Sequence, residues 1–169
     1  MRTRLRIFRL DDAANPVKRP KRKPQTAPVR PAPPADVVEA ALAAVGAPAG
    51  QRIICDWPPN ILSANSRAHW SKAAGPRRVY RRSCWALALE ARPVVPAEGD
   101  ILVRLDMFQP SRAHNDDDNP VGRFKAGRDG IAEALKVNDR RFKVTPVLHT
   151  EPLGCIVFTI IDGGAHDPR

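Results

Sequence analysis

One stretch constrains what this chain can fold into. Residues 112 to 142 place Asp116-Asp117-Asp118 directly before Asn119-Pro120, and an apolar stripe at helical spacing follows. Asn can cap free backbone N–H groups and Pro fits the first helical position, so Asn119-Pro120 marks a helix start. Phe124, Gly127, Ile131, Ala134 and Leu135 then recur on one face. The aspartates are therefore delivered to a helix N-terminus, and Asp139 follows the helix in a turn begun by Val137-Asn138. If the chain doubles back there, Asp139 can join Asp116 and Asp118 in a three-carboxylate site suited to a hard cation such as Mg²⁺. The same aspartates also suit a solvated cap that gains from the helix dipole. These residues alone leave both readings open.

The elements around that stretch predict a mixed α/β (α+β) domain with one sheet and two main helices. Arg52 to Trp57 reads as a strand stopped by Pro58-Pro59. A loop follows at Asn60 to Asn65, then a helix from Ser71 to Ala91 with Tyr80, Cys84, Leu87 and Ala88 on one face. Ile101 to Phe108 alternates as a strand, with Ile101, Val103, Leu105 and Met107 on one side. Phe142 to Thr150 reads as a strand broken at Pro146, and Gly154 to Ile161 as an apolar strand that is core or interface. The folded domain is placed at 51 to 162 and a loose tail at 163 to 169.

Residues 1 to 50 form a different compositional region. Residues 1 to 34 hold seven of the 18 prolines and the run Lys18-Arg19-Pro20-Lys21-Arg22-Lys23. Such a segment buries too little apolar surface to offset ordering, so a flexible basic arm is expected. Within it, Asp36 can cap a short helix from Val37 to Val45 that ends at Gly46.

The formal net charge is +10, and residues 1 to 50 contribute ten Lys/Arg against four Asp/Glu. A basic chain that gathers acids at one place suits a polyanionic partner approached by a metal site. The exposed face Arg77, Arg78, Arg81 and Arg82 is the candidate phosphate contact. Asn65, Arg67, His69 and Lys72 form a second polar cluster suited to DNA or to turn and cap duties. Cys55, Cys84 and Cys155 lack a C-x-x-C spacing, which fits buried hydrophobes in a reducing, cytoplasmic compartment. No apolar run reaches the ~20 residues of a membrane span. No signal peptide is recognised. No Gly-rich phosphate loop points to a nucleotide cofactor.

Two stretches carry a family resemblance. One is Trp57-Pro58-Pro59-Asn60 through Asn65-Ser66-Arg67-Ala68-His69-Trp70. The other is Asp116-x-Asp118-Asn119, Lys125-x-x-x-Asp129 and Asn138-Asp139. In this order they resemble the RusA family of Holliday junction resolvases, especially its phage and prophage forms, over residues 51 to about 161. The resemblance implies a homodimeric, Mg²⁺-dependent endonuclease (Mn²⁺ substituting) that cuts four-way DNA junctions in recombination and repair. It implies Asp116, Asp118 and Asp139 as metal-binding acids and Lys125 as the essential lysine. The chain departs from the shorter family pattern in a longer spacing from Asn119 to Lys125 and in Asn138 beside Asp139. A non-catalytic basic DNA-binding module, with the aspartates as a helix cap, is the competing expectation.

Overall fold

The computed structural model describes residues 31–63, 66, 69–111 and 120–161. Within them lie helix α1 (Ala35–Ala44), strand β1 (Gln51–Asp56), helix α2 (Trp70–Ala91), strand β2 (Ile101–Phe108), helices α3 (Pro120–Arg123) and α4 (Lys125–Ala134), and strands β3 (Phe142–His149) and β4 (Cys155–Ile160). The strands form one sheet in the order β1-β4-β2-β3. β4 runs antiparallel to both β1 and β2, and β2 runs parallel to β3. The α+β architecture expected from the sequence is therefore present.

β4 lies between β1 and β2, and all six of its residues are buried. That decides the role left open for the last apolar strand: it is core. Its continuous run of Ile156, Val157, Phe158 and Thr159 suits a strand covered on both faces. β2 matches its expected bounds, and Ile101, Val103, Leu105 and Met107 point into one core.

That core is closed by α2 and α4. Tyr80, Cys84 and Ala88 of α2 and Phe124, Ala126 and Ile131 of the α3–α4 region pack with the inward residues of the sheet. The two helices meet closely because glycine sits at the crossing. A Cβ on Gly130 would fall far inside van der Waals contact with the Arg81 carbonyl oxygen and 3.2 Å from the Trp85 nitrogen. A Cβ on Gly127 would meet the Phe124 ring. The expected single helix is divided at Phe124, although Phe124 N–H still donates to the Pro120 carbonyl and Arg128 N–H to that of Phe124.

The cysteines behave as small core hydrophobes. Cys55, Cys84 and Cys155 are free and buried. A hydrogen bond with Cys84, together with burial, pushes the Cys55 thiol well above its ordinary value. Burial pushes that of Cys155 up to about 12. None of this favours a reactive thiolate.

The opposite face of the sheet holds a smaller cluster, in which Val38 and Leu42 of α1 pack on Phe108, Cys155 and Val157. The helix expected within a flexible arm is thus seated, with Val38 and Leu42 fully buried and Arg52 paired with Glu39. Asp36 does not cap it. Pro34 occupies the N-cap and Asp36 lies in the first turn, where its charge favours the helix dipole. Gly46, at φ 62°, ends the helix as expected, because only glycine adopts that backbone freely.

A second correction concerns Pro146. β3 runs through it without a break, pairing Pro146 with Leu105. β3 is an edge strand, where a missing N–H is tolerated. Residues 1–30 and 162–169 lie outside the described residues.

The helix crossing yields a direct test. In an open helix, Gly→Ala stabilises by about 0.5–1 kcal/mol. Gly130→Ala should instead cost about 1–3 kcal/mol through overpacking, read as a lower urea midpoint with unchanged m-value.

Candidate functional site

Among the described residues, α2 carries the most concentrated positive charge. Tyr80, Cys84 and Ala88 face the core, so helical spacing turns Arg77, Arg78, Arg81 and Arg82 outward, and all four are exposed. Tyr80 anchors the helix by donating its hydroxyl to the Asp56 carbonyl at 2.7 Å. Arg81 donates to Glu133 of α4, with Nη2 at 2.9 Å. A cleft of about 440 Å³ opens there, lined by Arg78, Arg81, Arg82, Trp85 and Glu133. Three of the four expected arginines, Arg78, Arg81 and Arg82, therefore line a cleft beside α4.

The second polar cluster is only partly described. Asn65 and Arg67 lie outside the described residues. His69 is the N-cap of α2: its Nδ1 accepts from the Ser71 N–H at 3.4 Å and lies 2.8 Å from Ser71 Oγ. Capping accounts for His69 without a ligand. Lys72 is exposed in the first turn.

The first turns of α4 gather a second set of charges. Lys125 is exposed and its Nζ lies 3.7 Å from Asp129 one turn later. Asp139 opens a short 3-10 turn capped by Asn138, whose side chain accepts from the Arg140 N–H. That turn brings Asp139 to Arg128, the fourth residue of α4, with Nη2 to Oδ2 at 3.5 Å. The buried Nε of Arg128 has no partner among the described residues. Beneath this rim, Arg123 is buried and donates to Asn60 Oδ1 at 3.4 Å. This contact ties α3 to the turn after β1. Burial holds the Arg123 guanidinium below its ordinary value.

Asp116 and Asp118, with Asn119, lie outside the described residues. Of the three expected metal acids, the described geometry contains Asp139 alone. Among the described residues no group of three His, Cys, Asp or Glu side chains comes together to hold a metal ion. Asp139 is half-buried, and its Oδ1 is a hard oxygen donor of the kind Mg²⁺ takes. The described residues supply one such donor and do not by themselves complete a site.

A charged network that sequence reasoning passed over lies on the α1 side of the sheet. Asp106 is fully buried in β2, and His149 at the end of β3 places Nε2 2.7 Å from its Oδ1. Arg104 donates Nε to both Asp106 oxygens, at 3.0 and 3.1 Å. The Phe108 ring stacks on His149 at 4.4 Å. A carboxylate oxygen is an acceptor, so a proton on Nε2 lets His149 donate to Asp106. The available signal was Asp106 itself, a carboxylate between Leu105 and Met107 in an apolar strand. Its partner lies 43 residues away, and only the parallel register joins them.

No model of a known protein family matches the chain. A protein of Xylella fastidiosa strain Temecula1, described as an uncharacterized protein, is 39% identical over 132 residues, covering 72% of this chain and 82% of that protein. The chain belongs to the family of that Xylella protein. The match is long enough to place the two in one fold, and the relative's description names no activity.

The two kinds of charge pair separate in stability. Asp106→Ala would leave Arg104 and His149 facing a cavity and should cost about 3 kcal/mol. Asp129→Ala removes an exposed i,i+4 pair and should change stability by about 0.3 kcal/mol. Urea denaturation of the two variants side by side checks the contrast.

Proposed function

We propose that this chain is a metal-dependent endonuclease acting on branched DNA, as the resemblance to RusA-family resolvases implies. The observation that most supports this reading is the pairing of two surfaces. The exposed arginine face of α2 lies beside α4; the early turns of α4 hold Lys125, Arg128 and Asp129, and the 3-10 turn after the helix brings Asp139 to Arg128. A polyanion held on the first surface presents a phosphate to the second.

Each residue then has a distinct duty. Arg77, Arg78 and Arg82 bind backbone phosphates and set the position of the strand without reading sequence. Asp116, Asp118 and Asp139 would hold Mg²⁺, which when bound lowers the pKa of a coordinated water and neutralises charge on the phosphate. Lys125 can leave its 3.7 Å contact with Asp129 to place an ammonium on the scissile phosphate, since an exposed pair of this kind is worth only a few tenths of a kcal/mol. Arg128 orients Asp139. Two symmetric nicks across a four-way junction call for two sites, which a two-fold homodimer supplies.

The second reading is a DNA-binding module without catalysis. The Lys125–Asp129 and Arg128–Asp139 pairs favour it, because each already balances a charge that the nuclease needs.

Asp118→Asn separates the two. It keeps size and removes the charge that holds a cation, while Asn remains a good helix cap. On the nuclease reading, junction binding survives or tightens and single-turnover cleavage falls at least about a hundredfold, matching the several kcal/mol a catalytic metal supplies. Lys125→Ala loses cleavage and keeps metal affinity. Full cleavage by Asp118→Asn would remove the metal-site assignment.

A further inference from the structure

We propose that the cleft between α2 and α4 takes an unpaired nucleobase on the indole of Trp85, with Arg78 and Arg82 on the adjoining phosphates. This inference rests on the nucleic-acid reading above and goes beyond it by naming a stacking residue and the state of the base that fits. Arg78, Arg82 and Trp85 stand at positions i, i+4 and i+7 of α2, so they form one stripe along the helix. All line the same cleft of about 440 Å³. Arg78 and Arg82 are exposed and carry no ion-pair partner among the described residues, so both are free to meet phosphate. Arg81 differs. Glu133 holds it at 2.9 Å, which makes the Arg81–Glu133 pair a wall of the cleft.

The chain's three tryptophans stand in different environments. Trp57 belongs to the core between the sheet and the helices. Trp70 is 76% exposed at the first residue of α2, its ring 5.6 Å from that of His69. Trp85 is half-buried, and α4 approaches its backbone so closely that only glycine fits at position 130. The indole is thus fixed at its base and presented to an open, basic cavity. A surface that binds duplex phosphates needs no aromatic ring in that place. An aromatic face one turn beyond two free arginines suits a single strand, because stacking accepts any base while the cations follow the backbone. A base inside an intact duplex offers no free face. An unpaired one, such as a branched DNA exposes at its crossing, does.

The test uses the full chain carrying Trp70→Phe, so that emission changes report Trp85 above the buried Trp57. The probes are an oligothymidylate and an abasic sugar-phosphate oligomer of equal length, which share charge and differ only in bases. The expected result is tighter binding of oligothymidylate with quenching of Trp85 emission. Trp85→Leu should weaken oligothymidylate binding about tenfold and leave the abasic oligomer unchanged, while Trp85→Phe keeps most of the preference. Arg78→Gln should weaken both oligomers alike. Circular dichroism confirms that each variant is folded, and the quenching by itself decides if Trp85→Leu is not. Equal binding of both oligomers without quenching overturns the stacking proposal and leaves the DNA-binding reading standing. Failure to bind either oligomer overturns both.

Discussion

The close approach of α4 to α2 is the constraint on which the rest of the structure depends. Gly130 lets the Arg81–Trp85 backbone come within contact, and Gly127 makes room for Phe124 and Cys84. Because the helices meet there, Phe124 and Ile131 complete the core over Val103, Leu105 and Phe158. The same contact sets Arg81 of α2 beside Glu133 in the last turn of α4. The Lys125–Asp129 and Arg128–Asp139 pairings, at 3.7 and 3.5 Å and partly exposed, contribute little to stability.

The two faces of the sheet are built with different chemistry. One is an apolar layer covered by two helices. The other is covered in part by α1, and beyond it Arg104, Asp106 and His149 form a buried charged network. Such a network contributes less to net stability than apolar packing of the same volume, yet breaking one member is costly. It also links the neighbouring strands β2 and β3 at the end from which the chain departs toward the Asp-rich segment. The Asp106–His149 contact thus ties β2 to β3 across their parallel register.

Most elements were legible because their periodicity was clean. β2 alternates over its whole length, and the α2 stripe of Tyr80, Cys84 and Ala88 fell on the buried face as expected. Pro146 was misread because a proline breaks a central strand but not an edge one, and edge position is a property of the sheet. The docking of α1 was missed because its compositional neighbourhood is basic and proline-rich, while of its residues only Val38 and Leu42 are fully buried. Asp106 and His149 could not be joined from sequence, since parallel pairing sets their register across a helical crossover. At the candidate site, the exposure of the four arginines was legible. The Arg128–Asp139 contact and the Trp85 cleft needed the helix crossing to be known. Asp116 and Asp118 lie outside the described residues, so their sequence signal stands by itself.

The central claim is that these charged surfaces serve metal-dependent cleavage of branched DNA. The most direct measurement is single-turnover nicking of a synthetic four-way junction by the wild-type chain. It is run with Mg²⁺ and with chelator, beside a linear duplex of the same sequence. The account predicts paired nicks near the crossing with Mg²⁺, none with chelator, and an intact duplex. Tight binding of the junction with no Mg²⁺-dependent nick would contradict it and leave a DNA-binding module in its place.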